Sequence, residues 1–447
     1  MEKHLTLETV DCFVEAFEDD PKNRLALNAV TQTDITTVAL NRDVVNRVDH
    51  TYSHLIETPK VTNQKSSGRC WMFAGLNALR LETLKNLNLD QFEFSQTHLM
   101  FWDKLEKSNF FLENILETCN EPLDGRLIQW LLSQPLSDGG QWDMFINLIE
   151  KYGVVPKSVM PETQSSSNSR RMNSMVVLKL RECASILRKM HGQGGPIEAL
   201  REAKGKMLQD IHRILSIHLG KPPTQFSWSW RDKDKQFHRK ENMTPQECYK
   251  TFVGVDLNDY VCLINAPTED KPYNKLYTVQ YLGNVVGGQI VRYVNVDMAT
   301  LKQATVEMVK NGEAVWFGCD VGKMFQRDLG ILDLDIHDYE LVYGTDFSLD
   351  KAGRLDYGHS RMTHAMVLTG VDLDHDEQPR KWRVENSWGT EHGDKGYEMM
   401  TDAWFEEYLY EITVHKKYLS DELLNLLDTD PIVLPPWDPM GSLATSR

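Results

Sequence analysis

Residues 63–73 read NQKSSGRCWMF. A cysteine placed only for packing needs no glutamine six residues upstream and no tryptophan directly after it. The thiolate is the reactive form of cysteine, and a helix N-terminus or a nearby imidazolium stabilises it. Cys70 opens the run CWMFAGLNALRLETLKNL, in which Phe73, Leu76 and Leu79 follow helical spacing and Ser66 and Ser67 are capping candidates. Its thiol is expected to ionise below the free-thiol pKa of about 8.5.

The imidazole must come from another segment. Among 14 histidines, His364 is the best candidate, because it lies in the apolar strand-like run RMTHAMVLTG. Alone, such a histidine reads as a hydrogen-bonded core residue. The partner that changes this is Asn386, 22 residues later in VENSWGTEHGDKGY. An asparagine amide accepts from one imidazole nitrogen and aims the other at the sulfur. Trp388, two residues on, can shield that bond from water. Gln64, with the Cys70 backbone N–H, can donate to a developing oxyanion, where one donor is worth about 3 kcal/mol. Gly139 and Gly140, in DGGQW, are either a tight turn or a backbone that an extended substrate approaches closely.

These residues need elements to hold them. Residues 6–19 read as an amphipathic helix with Leu7, Val10, Phe13, Val14 and Phe17 on one side, ended by DDP. Residues 20–62 read as a polar arm. Helical patterns follow in QTHLMFWDKLEKSNFFLENIL and in DMFINLIEKYG, the latter closed by Gly153. A further helix places Leu200, Met207, Leu208, Ile211, Leu215 and Leu219 on one face before Gly220 and two prolines. FSWSW alternates like a strand, and from residue 311 onward EAVWFGCDV, MTHAMVLTGV, KWRVENSWG and GYEMMT are short β-type runs. A helical half, an inserted helical block and a β half emerge.

The 447 residues allow two or three domains, with 41% hydrophobic and 26% charged residues, as in a soluble enzyme. No apolar run approaches the roughly 18 residues of a membrane span, and no basic-then-apolar leader opens the chain. A cytoplasmic location is expected. Seven scattered cysteines without a C-x-x-C pair predict reduced thiols rather than disulfides or zinc, and no metal or cofactor is expected. The net charge of −16 argues against nucleic-acid binding, and the mixed-sign segment RDKDKQFHRK at 231–240 reads as a solvated face.

Each feature is ambiguous alone, but the ordered set Q-x5-C-W, G-G-x-W, T-H-A and N-S-W-G-x6-G-Y resembles the papain-like cysteine peptidases. The resemblance implies an α+β fold with a helical lobe and a β-barrel-like lobe. It also implies Cys70 as nucleophile, His364 as general base and acid, Asn386 as its orienter and Gln64 as oxyanion donor. His364 and Asn386 follow Cys70 by 294 and 316 residues, against about 130–150 in papain and cathepsins. The excess is about one small domain. SGRCW also carries arginine where cathepsins usually have serine or alanine.

The segments TNQKSSGRCW, FEFSQTHLMFWDK, DGGQWDM, EKYGVVPK, YNKLYTV, NGEAVWFGCDVG, MTHAM, KWRVENSWG and PPWDPMG are similar to the bleomycin hydrolase and bacterial aminopeptidase C family. That likeness covers nearly the whole chain. It implies five parts: an N-terminal helix and arm (1–62), a helical lobe with the nucleophile (63–157), an inserted helical domain (158–290), a β-rich lobe with the histidine and asparagine (291–430) and a C-terminal arm in the cleft (431–447). It further implies a cytosolic cysteine aminopeptidase, a homohexamer, and peptide substrates with a free N-terminus. Gly139, Gly140, Trp388 and Ala444 are the implied substrate contacts. The tail, PPWDPMGSLATSR, is expected to be extended, and it runs three residues past Ala444. A papain-like endopeptidase or an acyltransferase would use the same triad, and a binding protein that has lost catalysis would not need all four side chains.

Overall fold

The computed structural model of the chain describes residues 3–445. Its centre is the Cys70–Asn86 helix, in which Trp71, Met72, Phe73, Leu76 and Leu79 are all buried. A helix apolar on every side must be enclosed by its own domain. The Gln96–Glu117 and Trp142–Tyr152 helices pack against it. The latter ends at Gly153, where φ is 64° and a Cβ would stand 2.1 Å from the Pro245 carbonyl carbon. Only glycine fits both constraints.

The expected serine cap is not used. Arg69 occupies the N-cap position of the Cys70 helix, and no side chain caps it. Ser67 Oγ instead donates to the Gln64 carbonyl at 2.7 Å and accepts from Arg69 Nε at 2.9 Å. The Arg69 guanidinium is buried and grips Glu162 with two bonds of 3.1 and 2.8 Å. A buried guanidinium must have its donors satisfied, and that demand recruits Ser67. The first amides of the helix are therefore left without a side-chain cap.

Two long helices, Arg170–Gly192 and Ile197–Leu219, pair with each other and lie on Gln96–Glu117. Leu200, Ile211, Leu215 and Leu219 form the buried face of the second, while Met207 and Leu208 sit half-buried at its edge. The Phe226–Arg231 and Phe237–Met243 strands make a hairpin, and most of residues 231–240 face solvent.

A 12-stranded sheet forms the rest. Its centre runs Tyr260–Ile264, Leu409–His415, Val315–Cys319, His364–Leu373, Pro379–Glu385, Tyr397–Thr401. His364 lies opposite Cys319, and Val367 opposite Glu385. The sheet begins before residue 291, since Tyr260–Ile264 and Lys275–Val279 are strands within it. Those runs, YVCLI and KLYTV, are almost wholly buried and carry strand-forming residues rather than a helical stripe.

The N-terminal helix spans Leu7–Asp19 and is capped by Thr6. Its apolar face is largely exposed: Leu7 is 83% exposed, Phe13 51% and Phe17 46%. The stretch read as an arm holds three more helices, Pro21–Val30, Ile35–Val38 and Arg42–Arg47, started by the side chains of Asp20, Asp34 and Asn41. They are too short to show a periodic apolar stripe, and caps rather than patterning define them.

The tail also differs from its expected form. Ile432–Leu434 adds a strand beside Lys275–Val279, but Pro439–Gly441 and Ser442–Thr445 are helical turns. Asp438 Oδ1 accepts from the Met440 amide at 2.9 Å and starts the turn. Ser446 and Arg447 lie outside the described residues.

The lobes are joined by a buried ion pair between Arg80, on the Cys70 helix, and Glu385, which immediately precedes Asn386. Arg80→Ala would leave Glu385 as an unpaired buried carboxylate. It is expected to lower unfolding stability by about 3–5 kcal/mol, read from urea denaturation midpoints.

Candidate active site

The uncapped helix start and the His364 strand meet between the lobes. Cys70 is 3% exposed and belongs to the same core cluster as Ala365 and Met362, on either side of His364. His364 is buried at 4% exposure, and its Nε2 lies 2.9 Å from Asn386 Oδ1. That oxygen also accepts from the Ser387 amide at 2.7 Å, so the imidazole donates through Nε2 and leaves Nδ1 as a proton acceptor. Trp388 covers the imidazole, with ring centroids 4.8 Å apart, and the Arg327 guanidinium lies 4.6 Å above the indole. The shield read from the sequence is in place, with a cation added on its outer face.

Gln64 is buried, and its backbone amide donates to the Ser387 carbonyl at 2.8 Å. Its side-chain oxygen accepts from Ser387 Oγ at 3.1 Å, and its amide nitrogen donates to the Ser67 carbonyl at 2.7 Å. A primary amide has two N–H groups, so the second can still serve an oxyanion. Gln64 thus bridges the Cys70 side of the cleft and the Asn386 side.

Gly139 and Gly140 are held by aromatic and charged neighbours. A Cβ on Gly140 would stand 2.5 Å from the Trp71 ring, whose Nε1 donates to the Asp138 carbonyl at 2.7 Å. Lys107 donates to the Gly139 carbonyl. Close backbone approach is therefore required already by Trp71. Asp138 accepts from the Gly68 amide, Lys104, Ser169 and Asn173. Burial opposes its charge, but Lys104 and these hydrogen bonds hold its carboxyl well below the usual range.

The electrostatics differ from the expected low thiol pKa. Burial pushes the Cys70 thiol up to about 11, against the amides of Ala365, Trp71 and Cys70 itself. Burial likewise pushes His364 down to about 4, against its bond to Asn386. Each group alone therefore stays neutral at pH 7. Moving the thiol proton onto the imidazole would create both charges together. An arrangement of this kind can deliver a thiolate to a carbonyl and return the proton to a leaving amine.

The tail packs beside these segments. Asp438 pairs with the buried Lys271 at 3.1 Å, and the Met440 carbonyl accepts from Tyr293 Oη at 3.2 Å and Gln141 Nε2 at 3.3 Å. Ser442 Oγ donates to the Met362 carbonyl at 2.9 Å, two residues before His364, and Ser137 Oγ donates to the Ala444 carbonyl. Arg126 stacks on Trp437 at 3.6 Å.

Sequence reasoning missed Glu398, which accepts from Asn386 Nδ2 at 2.7 Å. The signal was a single acidic residue inside the apolar run GYEMMT. It also missed the Arg69–Glu162 and Arg80–Glu385 pairs, which no local pattern reveals.

Residues 4–441 match the model of the Peptidase C1-like family. The chain belongs to that family. It is 47% identical over 444 residues to the aminopeptidase C of Listeria innocua serovar 6a, covering 99% of this chain and 100% of that one. It is 46% identical over 449 residues to the bleomycin hydrolase of Homo sapiens, covering 98% and 99%. The crystal structure of PepW from Lactobacillus rhamnosis superposes with a TM-score of 0.97 at 49% identity, covering 99% of each chain. The fold is thus the α+β papain-like fold, and the resemblance read from the motifs holds along nearly the whole chain.

Asn386→Ala removes the acceptor that aims His364 without removing a substrate contact. Steady-state kinetics on a peptide amide are expected to show kcat reduced about 100-fold with KM nearly unchanged. A change confined to KM would place Asn386 in binding instead.

Proposed function

We propose that this chain is a cytoplasmic cysteine aminopeptidase that releases N-terminal residues from peptides through a thiol-acyl intermediate. Cys70 attacks the first peptide carbonyl while His364 takes its proton, and Asn386, shielded by Trp388, keeps the imidazole aimed. The Cys70 amide and Gln64 stabilise the oxyanion. His364 then protonates the departing amine, and water releases the acyl group. The names of the relatives, aminopeptidase C and bleomycin hydrolase, support the activity. The five-part division 1–62, 63–157, 158–290, 291–430 and 431–447 is kept as the functional organisation, with the sheet drawing strands from the third part.

The observation that carries exo-action is the seating of the tail. Bonds from Ser137 and Gln141 hold it beside the Gly139–Gly140 backbone, and Ser442 ties it to Met362. A cleft filled on that side admits only the first residue of a substrate. A tail ending at Ala444 would place its carboxylate against the substrate's α-ammonium. Residues 445–447 are therefore removed by Cys70 itself. A homohexamer follows the family resemblance, and the uncovered Leu7, Phe13 and Phe17 face of the N-terminal helix supports self-association. The net charge of −16 supports peptides rather than nucleic acid as partners.

Free-amine and N-acetylated peptide amides are to be compared with full-length enzyme and with a deletion of residues 437–447. Full-length enzyme should accept only the free amine, and the deletion should open the cleft to acetylated peptides. A deletion mutant that still demands a free amine would refute the tail as the selecting element. Intact-mass analysis should find residues 445–447 missing from active enzyme and present in Cys70→Ala. Light scattering of Phe13→Glu/Phe17→Glu should report a smaller particle than wild type.

A further inference from the structure

The role assigned to Asn386 depends on which end of its amide faces His364. The amide is flanked on one side by His364 and the Ser387 N–H, and on the other by Glu398. Glu398 lies on the Tyr397–Thr401 strand, opposite Val384, and is 3% exposed. Its Oε1 accepts from Asn386 Nδ2 at 2.7 Å, and its Oε2 has no hydrogen-bond partner among the described residues. A buried carboxylate with an orphan oxygen is costly and serves no packing purpose that an apolar residue would not serve better.

We infer that Glu398 is a positioning residue for the thiol-imidazole pair, acting through Asn386 as the negative end of a Cys70–His364–Asn386–Glu398 series. This rests on the peptidase reading of Cys70 and His364. An ionised carboxylate only accepts hydrogen bonds. It therefore holds the Asn386 NH2 toward itself and the Asn386 oxygen toward His364. Its charge also faces the imidazole through one polarisable amide, which favours the imidazolium and hence the thiolate.

The groups around it set when it is charged. Arg327 reaches it from the loop over Trp388, and the Cys319 thiol senses it from another strand of the same sheet. His364 faces it through Asn386, and Glu385, at the end of the adjacent strand, is already paired with Arg80. Burial raises Glu398 to about 7, while the Asn386 bond and Arg327 act against that rise. Below that pH the acid is neutral and the imidazolium loses its counter-charge. Above it the carboxylate is present and thiolate formation is favoured. The sign is therefore an increase of reactivity with pH through about 7.

The test follows Cys70 alkylation by iodoacetamide, read by peptide mass analysis between pH 5 and 9, alongside kcat on a free-amine peptide amide. Wild type should show a step of about tenfold in both near pH 7. Glu398→Gln preserves shape and an acceptor oxygen but no charge, so it should stay at the low level with no step and an unchanged KM. Glu398→Asp should restore the step. A Glu398→Gln enzyme that matches wild type across the range, with only Glu398→Leu impaired, would show a purely structural role and overturn the proposal. A wild-type alkylation profile without a step near pH 7 would overturn it without any variant. A step in alkylation without peptide turnover would leave Glu398 in its role and refute the peptidase reading instead.

Discussion

The pair between Arg80 and Glu385 is the contact on which the site's geometry rests. Arg80 rides on the helix that begins at Cys70, and Glu385 is the residue before Asn386. A shift of either lobe would strand a charge in a dry interior, at a penalty of several kcal/mol. Burial raises the Glu385 pKa and Arg80 opposes that rise, so the pair works by mutual satisfaction rather than by exposure. The segment between the lobes is fastened to the same helix: Arg80 donates to the Lys60 carbonyl at 3.1 Å, and Asn77 to Thr62 at 2.9 Å. Gln64 follows directly, and its backbone amide is secured to the Ser387 carbonyl at 2.8 Å. Trp316 Nε1, on a central strand, closes the same joint by donating to the Trp71 carbonyl at 3.0 Å.

Within this frame the site holds two groups that burial keeps neutral and a helix start that no side chain caps. These features belong together. A capping serine would occupy the amides that face the sulfur, and the demand of Arg69 for partners draws Ser67 away from them. Charge separation at the pair then depends on fixed dipoles instead of water, which is the condition under which such dipoles act most strongly. Trp388 and Arg327 add to the exclusion of water on the His364 side.

Much of this was legible in the sequence because the candidate site residues carry local marks. Cys70 stands at the start of a periodic apolar run, His364 stands in an apolar strand-like run, and Asn386 precedes a turn with a tryptophan. Their roles were expected from residue chemistry, and the fold was confirmed by the family match and the superposition. What was illegible was set by contacts distant in sequence. The Ser67 cap failed because Glu162 holds Arg69. The arm at 20–62 hid three short helices whose evidence is a single capping side chain each. The sheet's early strands looked like part of an insertion, because burial on both faces erases the alternation that marks a half-buried strand. Glu398 looked like one more polar residue in a strand until its partner was seen.

The tail shows how weak contacts can seat a terminal segment. Most of its fastenings are hydrogen bonds, beside the Asp438–Lys271 ion pair and Arg126 over Trp437, and one such bond contributes about 1 kcal/mol net. As a separate peptide, a segment held this way would dissociate readily. As part of the chain it is presented at the high effective concentration of a tethered ligand, and the Ile432–Leu434 strand delivers it at the correct edge of the sheet. Met440 and Leu443 are fully buried, which adds apolar area to the polar bonds. The seating of the tail therefore comes from covalent connection plus modest packing.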